Sequence, residues 1–265
     1  MSRRGLSVSA AALLILGLAA CGHDDPAPAP TTPPPSPADD APDARADLAG
    51  LATLAQDHAY AALYALDDGG GAARNVVATV AADGTWRVDV SGGALGGAAD
   101  VTIVSTKAGV YQCTVSSPQQ PITPTCVRVA NPGKKVPAEY DPEVERLFRP
   151  ALTVFTDRQA PLSVGAVQPL AGAKGSCFSV DTIAAALSAP VDVGIYCYAA
   201  DGLLTAARVD FGTLTLVSTG AGPATVTLPG PEVQGQPMGT ESPSPPPVPT
   251  GGPSLPQQPS IPPAQ

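Results

Sequence analysis

The apolar and polar positions of this chain change period several times, and each change marks an element. Residues 5–20, GLSVSAAALLILGLAA, form an apolar run behind Arg3 and Arg4 and stop at Gly22, His23, Asp24 and Asp25. Periodicity is absent from 26–44, PAPAPTTPPPSPADDAPDA. It returns at 46–57, ADLAGLATLAQD, where Leu48, Leu51, Leu54 and Ala55 recur at helical spacing and predict a short amphipathic helix. In HAYAALYALDD the period drops to two: Tyr60, Ala62, Tyr64 and Leu66 share one side, the mark of a strand, and the glycines at 69–71 end it. RNVVATVAADGTWRVDV reads as a hairpin turning at Asp83-Gly84, a pair that tolerates positive φ at little cost. Trp86, Val88 and Val90 lie on one face of its second arm, Arg87 and Asp89 on the other. DVTIVST and GVYQCTV pair through a turn at 107–109, and TCVRVA adds a further strand.

The second helix carries the clearest start signal. In EYDPEVERLFRPALTVF, Asp141 caps, Pro142 takes the first helical position, and Glu143 and Glu145 complement the positive end of the helix dipole. Val144, Leu147, Phe148 and Phe155 form its apolar stripe, and Pro150 inside that stripe predicts a kink or a split. Beyond it follow APLSVGAVQPL, SCFSVD, a hairpin VGIYCYAADGLLTAARVDF turning at Asp201-Gly202, and GTLTLVST as the last strand. About nine strands in two runs, each introduced by a helix, predict an α+β fold built on one large antiparallel sheet with two helices.

The positive start and the apolar run ending in small residues have the form of a secretory signal. A permanent span needs about 20 apolar residues, whereas this run has 16 before it breaks at Gly22. Leu18-Ala19-Ala20-Cys21 resembles the lipobox of bacterial lipoproteins. The resemblance implies removal of residues 1–20 and lipid on the new N-terminal Cys21, which makes Cys21 the anchor of an extracytoplasmic, cell-envelope protein. Two or three acyl chains hold far more firmly than a single chain.

Charge and composition then limit the partners. The formal charge is −9, and −11 once Arg3 and Arg4 are removed. A body so acidic is no surface for nucleic acid or anionic lipid. The membrane is reached through the lipid on Cys21 alone. Of 32 prolines, eight lie in 26–42 and twelve in 231–263. Residues 21–45 therefore read as a polyproline-type tether that, at about 3.1 Å per residue, reaches up to about 75 Å from the bilayer. Residues 231–265 read as a disordered, solvated tail. Residues 46–230 remain as one globular domain, long enough for an ample single core.

With Cys21 assigned to lipid, Cys113, Cys126, Cys177 and Cys197 remain. In an exported chain they are expected to form two disulfides, for which three connectivities exist. The pairs 113 with 126 and 177 with 197 are expected, because each falls on neighbouring predicted strands. No CxxC and no nearby histidine accompanies them, which leaves neither metal nor redox role for these thiols.

The order LYALDD, GTWRVDV, VTIVSTKAGVYQC, then CYAADGLLTAARVDFGTLTL, is similar to the superfamily of periplasmic lipoprotein carriers and mycobacterial lipid-binding lipoproteins. The resemblance spans about residues 46–230. It implies a strongly bent antiparallel half-barrel closed by helices around a hydrophobic cavity for acyl chains. The chain departs from that pattern in its 4% aromatic content and its added cysteine pairs.

Catalytic signals are missing from the sequence. His23 lies in the tether and His58 at a helix-to-strand junction, and neither accompanies a G-x-S-x-G elbow or an H-E-x-x-H pair. GGALGG at 92–97 lacks the Lys-Ser/Thr of a phosphate loop and reads as a flexible turn. Asp67 and Asp68 lie in a predicted loop, Asp24 and Asp25 in the tether. No catalytic residue, metal or cofactor is expected. The chain reads as a tethered module that binds or carries a lipid or other apolar ligand; the alternative is a structural or protein-interaction lipoprotein whose sheet is filled by its own side chains. The ligand-lining candidates are Tyr60, Tyr64, Trp86 and Val88 on one strand face, with Leu147, Phe148 and Phe155 on the inward stripe of the second helix.

Overall fold

The computed structural model describes residues 43–116, 121–183 and 189–242. The signal segment, Cys21, the tether up to residue 42 and the tail beyond 242 lie outside the described residues.

Helix α1 (Ala44–Asp57) opens the body. It begins two residues before the expected position because Asp43 caps it, its Oδ1 accepting from the amides of Arg45 and Ala46 at 3.1 and 3.2 Å. Leu48, Ala52 and Ala55 face inward, whereas Leu54, expected on the apolar stripe, is exposed. Six strands follow: β1 (Tyr60–Asp67), β2 (Arg74–Val80), β3 (Trp86–Ala94), β4 (Ala99–Ser105), β5 (Val110–Thr114) and β6 (Cys126–Ala130). Two short 3-10 turns, Ala138–Tyr140 and Val144–Leu147, lead into α2 (Arg149–Thr156). The second run is β7 (Leu162–Val167), β8 (Ser176–Thr182), β9 (Gly194–Tyr198), β10 (Leu204–Val209) and β11 (Gly212–Ala221).

All eleven strands join one antiparallel sheet in the order β6-β5-β4-β3-β2-β1-β11-β10-β9-β8-β7. The sheet is open, with β6 and β7 at its two ends. This corrects the fold class. The α+β half-barrel expected from the sequence is replaced by an open, sheet-dominated fold, because α-helix is confined to stretches of 14 and 8 residues. The second helix is shorter than its start signal implied for a local reason. Glu143 takes φ +67, so the capping signal at Asp141 launches a 3-10 turn instead. Pro150 then sits in the first turn of α2, where its missing amide costs nothing, and the split falls at Phe148.

Register sorts the side chains into two faces. Tyr60, Val80, Trp86, Ser105 and Val110 form one cross-strand row, and Ala62, Ala78, Val88, Ile103 and Gln112 the next. This front face packs with α1 and α2 into the main core, where Phe155 lies 5.0 Å from Tyr196 and 6.5 Å from Tyr198, and Tyr64 lies 5.3 Å from Phe148. Both cysteine pairs lie on the back face, directly opposite in register: Cys113–Cys126 joins β5 to β6 and Cys177–Cys197 joins β8 to β9, each with a Cα–Cα distance of 4.0 Å. Closing loops with sequence separations of 13 and 20, such bridges typically stabilise by about 3 kcal/mol each.

Turn chemistry fixes the hairpins. Gly84 and Gly202 take φ +83 and +84 at the two expected turns. A Cβ on Gly202 would lie 2.4 Å from the Ala55 nitrogen, so that turn also closes against the end of α1.

Residues beyond β11 do not leave the body at 230. The Pro223 and Ala224 carbonyls accept from Ala82 and Asp83, Val226 packs on the back face beside Cys113 and Cys126, and Val233 N–H donates to the Cys126 carbonyl along the β6 edge. The chain then reaches the front face, where Gly239 and Thr240 carbonyls accept from Leu95 and Gly96 of the GGALGG stretch. Residues 222–242 thus form a strap around one end of the sheet, and the stretch expected to be a flexible turn is one of its moorings. Among the described residues no helix is long and apolar enough to cross a membrane.

Candidate functional site

A cavity of about 280 Å³ opens on the front face, beside the strap end of the sheet. Trp86 of β3 and Val110 of β5, on the same cross-strand row, form part of its wall. Val136 from the loop after β6, Ala151 and Val154 from α2 and Val191 from the segment before β9 complete the apolar lining. Lys134 and Lys135 stand exposed in the same wall.

One corner is polar, and it is built by the 3-10 segment that replaced the expected helix. Arg146 donates from Nε to Asp141 Oδ2 at 2.7 Å, and its terminal nitrogens approach Asp192 at 3.4 Å and Glu143 at 3.6 Å. Asp141 is buried, and its Oδ1 accepts the Glu143 amide at 2.7 Å, which holds the tight turn. Glu145 lines the cavity at 2% exposure, and its Oε2 receives no hydrogen bond from any described residue. Burial pushes the Glu145 carboxyl well above the ordinary glutamate range, the neighbouring Asp141 adds to the shift, and Arg146 offsets only part of it. No group of three His, Cys, Asp or Glu among the described residues is arranged to hold a metal ion.

The seven residues chosen from the sequence as cavity lining are brought together, but mostly elsewhere. Tyr60, Tyr64, Val88, Leu147, Phe148 and Phe155 are all buried in the main core, in the space between sheet and helices. Trp86 alone among them lines the cavity, half-buried. Sequence reading missed Asp141, Glu145, Arg146 and Asp192 as a group. The signal was there for Glu145, an acid set between Val144 and Leu147 in a stretch otherwise read as an apolar stripe. His58 sits at the junction of α1 and β1, 4.0 Å from Asp201 and edge-on to Tyr60, away from the cavity lining.

No family model matches the chain, and no curated protein matches it in sequence.

Proposed function

We propose that this protein is a lipoprotein of the cell envelope, anchored through lipid on Cys21, whose folded body holds a small, predominantly apolar ligand in the cavity beside Trp86. The observation that carries the ligand reading is the lining itself: apolar walls from five separate segments converging on one polar corner, the usual make-up of a small-molecule site. Burial of apolar ligand surface at roughly 25 cal/mol per Å² supplies the affinity, and no residue has to do chemistry. The two disulfides are compatible with an extracytoplasmic location. A volume of about 280 Å³ suits a short chain or a single ring, or the end of a larger lipid.

One observation favours a second reading, a structural or interaction lipoprotein without a ligand. The space between sheet and helices is occupied by Tyr64, Phe148, Phe155, Tyr196 and Tyr198. Trp86 is the only tryptophan of the chain, so the two readings separate cleanly by fluorescence. Energy transfer from Trp86 to N-phenyl-1-naphthylamine should saturate at one dye per protein and be displaced by apolar competitors. Absence of saturable transfer would leave the structural reading. Location is tested separately: a Cys21→Ala chain should leave the membrane fraction, and retention after a high-salt wash would refute lipid anchoring.

A further inference from the structure

We propose that residues 238–242, the end of the strap, are a latch on the cavity: they hold the segment 131–140 shut as a lid, and the ligand enters and leaves when the latch lets go. This rests on the reading that the cavity takes an apolar ligand.

The walls of the cavity are held unequally. Trp86 and Val110 sit in strands that are paired on both sides. Ala151 and Val154 ride on α2, which packs along α1. Lys134, Lys135, Val136 and Ala138 come instead from the loop after β6. Of residues 131–140 only Val136 is buried, against Ile103 and Val110. Apart from its own tight turns, the backbone of 131–140 is hydrogen-bonded, among the described residues, at two points only, the carbonyls of Glu139 and Tyr140.

Both points lead to the strap end. Thr240 N–H donates to the Glu139 carbonyl at 3.0 Å. Gln112, buried on the inward face of β5, donates from Nε2 to the Tyr140 carbonyl at 3.2 Å and to the Met238 carbonyl at 2.8 Å, and its Oε1 accepts the Met238 amide at 2.6 Å. On the opposite side, the Leu95 and Gly96 amides donate to the Gly239 and Thr240 carbonyls, each at 2.8 Å. Residues 238–240 are thus bonded to the lid and to the GGALGG turn at once. Gly96 permits the close fit, since a Cβ there would collide with Ser242.

Release of the latch is local. Upstream, the strap stays moored on β6, where Cys126 N–H donates to the Pro231 carbonyl and Val233 N–H to the Cys126 carbonyl. Between the two moorings Gln234, Gly235 and Gln236 are exposed, and the backbone of 234–237 makes no hydrogen bond with any described residue, so this stretch serves as the hinge. Met238, Gly239 and Thr240 are only half-buried, and bonds of that kind open at far lower cost than the ladders of a sheet. Once they open, the lid keeps Val136 and the Tyr140 bond, the latter from a Gln112 that has lost both bonds to Met238. The coupling is reciprocal: a ligand that needs all the walls binds the latched state and holds the latch shut.

The test uses N-phenyl-1-naphthylamine, read by energy transfer from Trp86, on the full chain and on a chain ending at Pro237. Leu95, Gly96 and Thr240 do not line the cavity. Their amide exchange in the full chain should nevertheless slow on dye binding, by about tenfold at free dye about ten times its dissociation constant, while the Ala173 amide, bonded to Leu170 at the other end of the sheet, should not respond. The shortened chain should take up and release dye at least about tenfold faster, as loss of a gate requires. Thr240→Pro, which deletes the donor to Glu139, should move both rates in the same direction. Saturable binding with unchanged rates in the shortened chain, or exchange at the three amides that ignores the dye, would overturn the latch and leave the apolar-ligand reading standing. No saturable binding to the full chain would overturn both. Exchange in the full chain decides the question even where the shortened chain folds poorly.

Discussion

Truncating Phe155 to alanine tests whether the space under the helices is filled. The ring, on the inward side of α2, is fully buried against β9, with Tyr196 and Tyr198 packed edge-on against it at 5.0 and 6.5 Å. A buried Phe→Ala change costs about 3–5 kcal/mol, depending on how far the site collapses. Collapse here is restricted. Tyr196 and Tyr198 are fixed by antiparallel register to β10, and β9 is tied to β8 through Cys177–Cys197. The loss should therefore fall in the upper half of that range, and it includes two aromatic contacts of about 0.5–1.5 kcal/mol each. Against a typical domain stability of about 5–15 kcal/mol, the variant should still fold but unfold at a much lower midpoint. Guanidinium unfolding with the disulfides intact, followed by far-UV circular dichroism and Trp86 emission, measures it. A loss below about 1.5 kcal/mol at unchanged m-value would refute the reasoning, because it would mean that a void lies beside the ring already.

Two tyrosines should respond in opposite directions to loss of their hydroxyls. Tyr64→Phe removes a buried bond to the Leu204 carbonyl at 2.9 Å and should cost about 1 kcal/mol, whereas Tyr198→Phe removes a buried hydroxyl without a partner and should be neutral or stabilising by up to about 1 kcal/mol in the same assay. Gln112→Ala should loosen the strap, since Gln112 donates to the Tyr140 and Met238 carbonyls and accepts the Met238 amide; hydrogen exchange should quicken at Leu95, Gly96 and Thr240, and unchanged protection there would show that the strap holds without it. Glu145 should make stability fall as pH rises. Its folded pKa lies above the unfolded value, so the folded state holds the extra proton and loses that advantage from the ordinary glutamate range upward. Glu145→Gln should flatten the profile and raise stability at neutral pH, and a parallel profile would contradict the assigned shift.

Much of the sheet was legible because alternation is a strong signal where one face is buried. β1 alternates buried and half-buried positions along YAALYAL as its sequence does, and both Asp-Gly turns fall where they were expected. The cysteine partners followed from strand adjacency alone. Three features escaped for physical reasons. The α+β assignment started the second helix at Pro142 and expected its break at Pro150, whereas positive φ at Glu143, a tertiary choice that capping rules do not contain, leaves a 3-10 turn before α2 begins at Arg149. The strap at 231–242 has the proline-rich composition of a solvated tail, yet it is held by backbone bonds to β6, to Glu139 and to 95–96, and composition carries no record of such partners. Apolar residues were natural candidates for a cavity, but the largest of them pack against one another, and the cavity lies where smaller side chains from four segments fail to meet. Gln112 could have been noticed as a polar residue on the inward face of GVYQCTV.

Native mass spectrometry of the protein released gently from membranes tests the central claim most directly, compared with a Val191→Trp variant that fills the cavity from the segment before β9. The account predicts a bound apolar molecule on the unaltered protein at one per chain, and its loss from the variant at nearly unchanged stability. A bare mass for both proteins, with Val191→Trp strongly destabilised, would contradict it and leave a sheet filled only by its own side chains.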